Sequence, residues 1–298
     1  MKIPAAPGDV AAVMAQLQAL AAGAPDLPGD ADLSPALPLA DEAPGQWVNG
    51  SGRPAAEAGA VVYVHGGGFA HTDPRAERAL AYRLSRATGR PVFRVDYRLA
   101  PAHPFPAALH DVLAVLRHLR LQGVPPSRTV LFGESAGGTL VLSALLALRQ
   151  AERAGEAGEA GEALPAGAVV VSPLTDMTLS GPSLDANEGR DLISRAVLEQ
   201  ITAQYLAGAG PDEAPQSPLH GDPGGLPPLL LATGSAEVLL DDARRFAETA
   251  ARAGVDVTLD VYEGMPHVFP LAMLPGQALP TTTTFLRRLA EWTGERCS

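Results

Sequence analysis

Short, continuous apolar runs recur along the chain and alternate with segments of helical periodicity. The run at 60–64 is apolar at every position, as expected for a strand buried on both faces of a parallel sheet. Between such runs, apolar residues recur every three or four positions, as on one face of a helix. This alternation predicts an α/β fold, with a mostly parallel sheet and helices on both faces. The other predicted strands are a first edge strand near Trp47 and the runs at 91–95, 129–132, 168–172, 228–233 and 256–262, and helices are predicted at 75–87, 241–253 and 280–292.

Other segments lack this alternation of strand and helix patterns. Residues 174–215 have no strand pattern but have apolar residues at helical spacing, which predicts a helical insertion over the carboxyl edge of the sheet. Residues 9–20 predict an amphipathic helix with Asp9 as its N-cap. The alternative for this stretch is a signal peptide, but polar residues interrupt it, and we therefore expect a cytoplasmic protein. Proline-rich residues 24–45 predict an extended segment, and the Ala-Gly-Glu repeats at 151–163 predict a solvated helix end or loop.

A serine flanked by glycines stands between the predicted strand at 129–132 and the helix that follows. Gly133-Glu134-Ser135-Ala136-Gly137 fits the pattern Gly-x-Ser-x-Gly of a nucleophile elbow, where a strand turns sharply into a helix. Glycines two residues away leave room for this strained turn, which lifts the serine hydroxyl off the backbone. An ordinary glycine-rich turn is the alternative, so the assignment depends on partner residues elsewhere in the chain.

A serine nucleophile needs a base that takes its proton and a third group that orients the base. His267 is the preferred base because it follows the last predicted strand, and functional loops lie at the carboxyl ends of parallel strands. The acid should lie between Ser135 and His267 in the chain. Glu237 follows the next-to-last strand and is the preferred acid. Asp241 is the alternative, although its place at the start of the next helix favours a role with the helix dipole.

The loop His65-Gly66-Gly67-Gly68 follows the strand at 60–64. Only glycine lets the backbone approach a substrate so closely. We therefore expect an oxyanion hole formed by the N–H groups of Gly67, Gly68 and Ala136. A phosphate-binding role is not expected, because neither Gly-x-x-x-x-Gly-Lys-Ser/Thr nor Gly-x-Gly-x-x-Gly occurs.

Charge and residue usage exclude several other functions. A net charge of −11 argues against a nucleic-acid partner, since phosphate binding needs clustered Lys and Arg. Lys2 is the only lysine, which argues against Schiff-base chemistry. Cys297 is the only cysteine, so no internal disulfide can form. No metal-binding pattern and no cofactor motif is found, and no apolar run is long enough to span a membrane.

Together these motifs resemble the hormone-sensitive-lipase family of α/β-hydrolase carboxylesterases, in its bacterial branch. The resemblance implies an eight-stranded sheet and a cap formed by residues 1–45 and the insertion at about 174–215, on a catalytic domain of residues 46–298. The family usually has Asp where this chain has Glu237, and Ala102 and His110 replace residues that are often acidic in the family. The motifs are His65-Gly66-Gly67-Gly68, Asp96-Tyr97-Arg98-Leu99-Ala100-Pro101, Pro104-Phe105-Pro106-Ala107, Gly133-Glu134-Ser135-Ala136-Gly137-Gly138, Ser217-Pro218-Leu219 and Leu226-Pro227-Pro228.

The resemblance implies a serine carboxylesterase that hydrolyses short- to medium-chain acyl esters through an acyl-enzyme, with a small apolar ester as its partner. Two alternatives stay open: a lactone, carbamate or amide hydrolase with the same residues, and a non-catalytic receptor for a small ligand. The presence of His267 counts against the receptor. A homodimer through an edge strand or the last helix is common for the fold and also stays open. The cap residues expected to line an apolar pocket, unless they only pack within the cap, are Met177, Leu179, Leu184, Ile193, Leu198 and Tyr205.

Overall fold

The computed structural model describes residues 1–20, 23, 26–34, 43–155, 163–274 and 278–297. In these residues a single sheet has nine strands rather than the expected eight. The strands are β1 (Lys2–Ile3), β2 (Asp32–Leu33), β3 (Gly45–Asn49), β4 (Ala60–Val64), β5 (Val92–Val95), β6 (Thr129–Glu134), β7 (Gly167–Val171), β8 (Leu229–Gly234) and β9 (Val257–Tyr262).

The sheet has the order β1-β9-β8-β7-β6-β4-β5-β3-β2. All pairs from β1 to β5 along this order are parallel, and the two pairs that involve β3 are antiparallel. Every residue of β4, β6, β7 and β8 is buried, as the apolar runs predicted for strands covered on both faces. The strand at Trp47 is not at the edge, because β2 pairs with its outer side.

Helices cover both faces of the sheet and create two hydrophobic cores. Helices α4 (Ala107–Leu121), α5 (Ala136–Ala154) and α8 (Leu240–Arg252) pack on one face, and α1 (Asp9–Leu20), α3 (Pro74–Thr88) and α9 (Pro280–Arg296) pack on the other. Neighbouring strand residues serve opposite cores, since Val62 lies in the first core and Val61 in the second. The helices are α1 (Asp9–Leu20), α2 (Ala55–Ala58), α3 (Pro74–Thr88), α4 (Ala107–Leu121), α5 (Ala136–Ala154), α6 (Ser183–Ala186), α7 (Arg195–Leu206), α8 (Leu240–Arg252) and α9 (Pro280–Arg296), with 3-10 turns at Pro126–Arg128, Pro218–His220 and Phe269–Met273.

The N-terminal segment contacts both the edge of the sheet and the loop that follows β9. β1 pairs with β9, and α1 packs against the 3-10 turn Phe269–Met273. The carboxylate of Asp9 does not cap α1 as expected. It is buried and accepts hydrogen bonds from the N–H and the hydroxyl of Thr281 in the first turn of α9. Asp9 therefore stabilises the start of the last helix, a contact with no local sequence signature.

Helices α6 and α7 lie in the segment between β7 and β8, where the insertion at 174–215 is expected. The division into a cap and a catalytic domain stays a prediction. Parts of the predicted extended segment (24, 25 and 35–42) and of the Ala-Gly-Glu repeats (156–162) lie outside the described residues. No helix in the described part of the chain has the length and apolar character needed to cross a membrane.

Candidate active site

Ser135 lies at the turn between β6 and α5, in a backbone conformation that is rare for a residue with a side chain. Its φ is 53° and its ψ is −124°. The flanking glycines make this turn possible. A Cβ on Gly133 would lie 2.4 Å from the carbonyl oxygen of Gly137, and a Cβ on Gly137 would lie 2.0 Å from the carbonyl oxygen of Val64. Both contacts are with backbone, so the Gly-x-Ser-x-Gly spacing is a steric requirement of the turn.

The structure brings Ser135, His267 and Glu237 together from three separate loops. The Nε2 atom of His267 lies 2.9 Å from the Oγ of Ser135. On the other side of the ring, Nδ1 lies 3.3 Å from Oε2 of Glu237. Glu237 is fully buried and His267 is 4% exposed, so the contact between them is shielded from water, whereas Ser135 is half-buried. This arrangement can move a proton from a hydroxyl to an imidazole that a carboxylate orients.

Glu237 is held in place by its second oxygen. Oε1 accepts hydrogen bonds from the hydroxyl of Ser172, at 2.8 Å, and from the N–H of Gly234. The Ser172 hydroxyl also accepts a hydrogen bond from the N–H of Val268, at 3.2 Å, so it joins Glu237 to the loop that carries His267. These contacts leave Oε2 directed at the imidazole.

Burial and the interaction between the two side chains have opposite effects on the pKa values of Glu237 and His267. Burial raises the pKa of Glu237, and its hydrogen bond with His267 acts in the opposite direction. For His267, burial favours the neutral ring, but the hydrogen bond with Glu237 and the charges of Glu237 and Asp191 raise its pKa above the ordinary value. The site therefore stabilises an imidazolium, which is the species formed when a hydroxyl loses its proton to the ring.

Asp241, the alternative acid, is directed elsewhere. Its Oδ2 accepts a hydrogen bond from the N–H of Ser183 at 2.8 Å, and its Oδ1 lies 3.4 Å from Nη1 of Arg244. It is in the first turn of α8. These contacts favour a structural role for Asp241 at the base of the insertion.

The glycine loop forms one wall beside Ser135. The N–H of Gly66 donates to Oε1 of Glu134, whereas Gly67 and Gly68 have φ values of 94° and 60° and border the cavity above the serine. A Cβ on Gly67 would lie 2.3 Å from the carbonyl oxygen of His71. Ala136 is the first residue of α5, so its N–H has no acceptor within the helix. All three expected oxyanion donors border the same cavity as Ser135.

This cavity has a volume of about 320 Å³ and is lined mainly by apolar side chains. Of the six cap residues expected to line a pocket, Ile193 and Leu198 do so. Tyr205 is instead buried and stacks on Phe69, with ring centroids 3.8 Å apart. Met177, Leu179 and Leu184 do not border the cavity but pack in the hydrophobic core. The lining also includes Leu174, Val197, Ile201, Leu239 and Leu271, for which the sequence predicts no pocket role.

Known proteins resemble the chain over most of its length. A family model described as the alpha/beta hydrolase fold matches residues 61–271. An acetyl-hydrolase of Streptomyces hygroscopicus is 40% identical over 248 residues, which cover 81% of this chain and 79% of that protein. An esterase of Acinetobacter venetianus is 36% identical over 213 residues, covering 71% of this chain and 67% of that protein.

A crystal structure of an esterase from the bacterial hormone-sensitive lipase family has a TM-score of 0.84 and 35% identity to this chain. The match covers 98% of this chain and 99% of that one. The chain belongs to the bacterial hormone-sensitive-lipase family of the α/β-hydrolase fold. It is a carboxylic ester hydrolase by class.

The departures from the family pattern are accommodated in different ways. Glu237 is one methylene longer than the usual Asp, and its side chain folds back so that Oε1 reaches the N–H of Gly234, three residues earlier. Ala102 and His110 are both exposed, and the neighbouring Asp111 pairs with Arg98 at 2.8 Å. The two exposed positions therefore lie outside the hydrogen bonds that hold the site.

Glu134, the variable residue before the serine, has a structural role that the sequence reasoning missed. Its Oε1 accepts hydrogen bonds from the Tyr63 hydroxyl and from the N–H of Gly66, both at 2.9 Å. Burial raises the pKa of Glu134 to about 8. A charged residue type inside an otherwise small and apolar motif is the signal that could have identified it, because a buried carboxyl group needs partners.

In the described ranges, no three His, Cys, Asp or Glu side chains are grouped so that they could hold a metal ion. The polar groups at the cavity are those of the serine, the imidazole, Glu134 and the main chain, together with His71 and two glutamines of α7.

Proposed function

We propose that this protein is a serine carboxylesterase that hydrolyses short- to medium-chain acyl esters through an acyl-enzyme, with Ser135 as nucleophile, His267 as base and Glu237 as acid. The observation that carries the proposal is the pair of contacts from Ser135 Oγ to His267 Nε2, at 2.9 Å, and from His267 Nδ1 to Glu237 Oε2, at 3.3 Å. Ester hydrolysis needs a hydroxyl made nucleophilic beside main-chain donors, and these residues supply both.

In the first half-reaction, Ser135 Oγ attacks the ester carbonyl carbon while His267 Nε2 takes the hydroxyl proton. The carbonyl oxygen becomes an oxyanion, which accepts hydrogen bonds from the N–H groups of Gly67, Gly68 and Ala136. The tetrahedral intermediate collapses as the C–O bond to the alcohol breaks, and His267 gives its proton to the departing alcohol oxygen.

In the second half-reaction, a water molecule takes the place of the alcohol and loses its proton to His267 Nε2. Its oxygen attacks the acyl carbon, and a second oxyanion forms at the same donors. Collapse of this intermediate breaks the bond to Ser135 Oγ, which takes the proton back from His267. Glu237 keeps its charge throughout, since its role is to orient the ring and stabilise the imidazolium.

The cavity supports a small apolar ester as substrate. A volume of about 320 Å³ is at the lower end of the range for small-molecule sites. Apolar residues of the insertion such as Ile193 and Val197 line this space together with Ser135. The names of the related proteins, an acetyl-hydrolase and an esterase, agree with an acyl group of modest size.

The test compares the hydrolysis of p-nitrophenyl acetate, butyrate, octanoate and dodecanoate. We expect the highest kcat/KM with the shorter chains and almost complete loss of turnover in Ser135→Ala. Ser51→Ala is the matched control, because the Ser51 hydroxyl donates to Asn49 Oδ1, at 2.7 Å, and accepts from the N–H of Arg53, at 3.2 Å, outside the cavity. Turnover retained by Ser135→Ala would refute the nucleophile, and a preference for the longest chain would refute the substrate class.

A fluorophosphonate probe separates the enzyme from a binding-only protein, because it labels an activated serine without requiring the natural ester. We expect labelling of the wild type and none of Ser135→Ala. The homodimer and the cytoplasmic location are further parts of the proposal. Light scattering on the purified chain and fractionation of the source cells would test them.

A further inference from the structure

Asp191, in the segment between α6 and α7, contacts both loops that carry the proposed acid and base. Its Oδ1 accepts a hydrogen bond from the N–H of His267 at 2.6 Å. Its Oδ2 accepts one from the N–H of Val238 at 2.8 Å, and Val238 directly follows Glu237. A single carboxylate outside both loops therefore fixes the spacing between them.

The same segment holds the acid loop from its carbonyl side. Asn187 Nδ2 donates to the carbonyl oxygen of Glu237 at 2.7 Å and to that of Ser235 at 3.2 Å. Asn187 is buried, whereas Asp191 is half-buried. The N–H and C=O groups around Glu237 are thus bound by two side chains of the insertion, and Asp191 is the one that also reaches His267.

Asp191 is next to residues that border the space for a substrate. Ile193 lines the cavity above Ser135, and Leu192 lines a neighbouring cavity of about 380 Å³ beside the glycine loop. The N–H of Leu192 also donates to Asp191 Oδ1, at 2.7 Å. An acyl or alcohol group bound beside Leu192 or Ile193 would therefore lie one or two residues from the carboxylate that binds both loops.

The charge of Asp191 acts on the imidazole as well. The pKa of His267 is raised, against the effect of burial, by Glu237 from the acid loop and by Asp191 from the insertion. Glu134 and His71 are the other titratable side chains that border the same cavity. A carboxylate that binds the backbone N–H of His267 is placed to favour the charged ring.

We propose that Asp191 is a positioning residue of the insertion, which holds the Glu237 and His267 loops at their working separation and stabilises the imidazolium that forms during ester cleavage. This inference rests on the proposed function. Asp191 does not touch the ester, and its effect reaches the reaction through His267 and Glu237.

The test compares Asp191→Asn with Glu188→Gln. Glu188 is an exposed acid of the same segment, whose side chain accepts only the N–H of Arg195, at 3.3 Å, among its hydrogen bonds in the described residues. Asparagine keeps the size of the side chain but removes its charge and places an amide donor against at least one of the three N–H groups that donate to Asp191. With p-nitrophenyl butyrate we expect a loss in kcat of about 10- to 100-fold and a smaller change in KM.

The pH dependence distinguishes the proposed role from general support of the fold. In Asp191→Asn the acid limb of kcat/KM should move to lower pH by about half a unit or more, because the imidazolium loses a neighbouring negative charge. Glu188→Gln should have the kcat of the wild type and the same acid limb in the pH profile of kcat/KM. A normal kcat, or a reduced kcat with an unmoved limb, would overturn the proposal.

Asp191→Glu keeps the test decisive if circular dichroism shows that Asp191→Asn does not fold. It retains the charge but moves the carboxylate by one methylene, so we expect a reduced kcat with the limb of the wild type. A full kcat in Asp191→Glu would overturn the positioning role. A wild type that neither turns over esters nor reacts with the fluorophosphonate would instead refute the proposed function, and this inference with it.

Discussion

Replacing Glu237 by glutamine should almost abolish turnover while leaving the shape of the site unchanged. Oε1 of Glu237 accepts hydrogen bonds from Ser172 and from the N–H of Gly234, so in the variant this position must keep the amide oxygen. The amide nitrogen then takes the place of Oε2, 3.3 Å from Nδ1 of His267. It donates to Nδ1, and the ring proton must lie on Nε2.

A proton on Nε2 faces Ser135 Oγ at 2.9 Å, so the ring can no longer accept the hydroxyl proton. In serine hydrolases with this arrangement, the exchange of the carboxylate for an amide lowers kcat by about 10⁴-fold, which is about 5 kcal/mol of transition-state stabilisation. We expect a loss of this order in Glu237→Gln, measured as initial rates of p-nitrophenyl butyrate hydrolysis at saturating substrate.

Two further variants make the measurement specific. Asp241→Asn should keep kcat within a few-fold of the wild type, because Asp241 binds Ser183 and Arg244 rather than the imidazole. Glu237→Asp should lose less than Glu237→Gln, since the carboxylate keeps its charge but is one methylene short of its partners. Glu237→Gln with more than a tenth of the wild-type kcat, or a larger loss in Asp241→Asn, would refute the assignment of the acid.

The pH profile and two stability measurements test the rest of the site. The acid limb of wild-type kcat/KM should have its midpoint above about 6.5, because the pKa of His267 is raised and only the neutral ring accepts a proton; a midpoint below this value would contradict the electrostatics. Gly137→Ala should destabilise the fold by about 1–3 kcal/mol or more in urea unfolding, since its Cβ would lie 2.0 Å from the carbonyl oxygen of Val64; unchanged stability would contradict the steric account of the elbow. Because the pKa of Glu134 is about 8 when folded and near 4.3 when unfolded, the folded state holds the proton between these values, and its stability should fall as pH rises through them. The stability of Glu134→Gln relative to the wild type should therefore increase from about pH 4 to about pH 8.5, and a constant difference would show that Glu134 is not protonated in the fold.

The features that could be predicted from the sequence are those fixed by short stretches of chain. The central strands are continuous apolar runs because both of their faces are covered, and this pattern needs no knowledge of the partner strand. The elbow was predictable because its glycines form a short motif. A Cβ on Gly133 would collide with the backbone of the turn itself, and a Cβ on Gly137 would collide with the backbone of the neighbouring strand β4. The two-residue strands β1 and β2 were not predictable, because two residues carry no periodicity.

The cap lining was predicted in part, for a different reason. Helical spacing marked the apolar residues of the insertion but not the direction in which each one faces. Ile193 and Leu198 border the cavity, whereas Tyr205 turns towards Phe69 and the core. Both environments are apolar, so hydrophobicity alone does not distinguish a pocket wall from a packed core.

The residues that hold the acid loop had no local signal, because each of them is polar, common and distant in sequence. Ser172 and Asn187 are separated from Glu237 by 65 and 50 positions, and Asp191 from Val238 by 47. The resemblance to the family implies an aspartate at position 237, and the role proposed for Glu237 requires that a carboxylate oxygen still reaches Nδ1 of the histidine. The contacts of Ser172 and Gly234 with Oε1 meet this condition, since they fix one oxygen of the longer side chain and leave the other at the ring. The position of the carboxylate is thus determined by its donors rather than by the length of its own side chain, and those donors are assembled only by the tertiary fold.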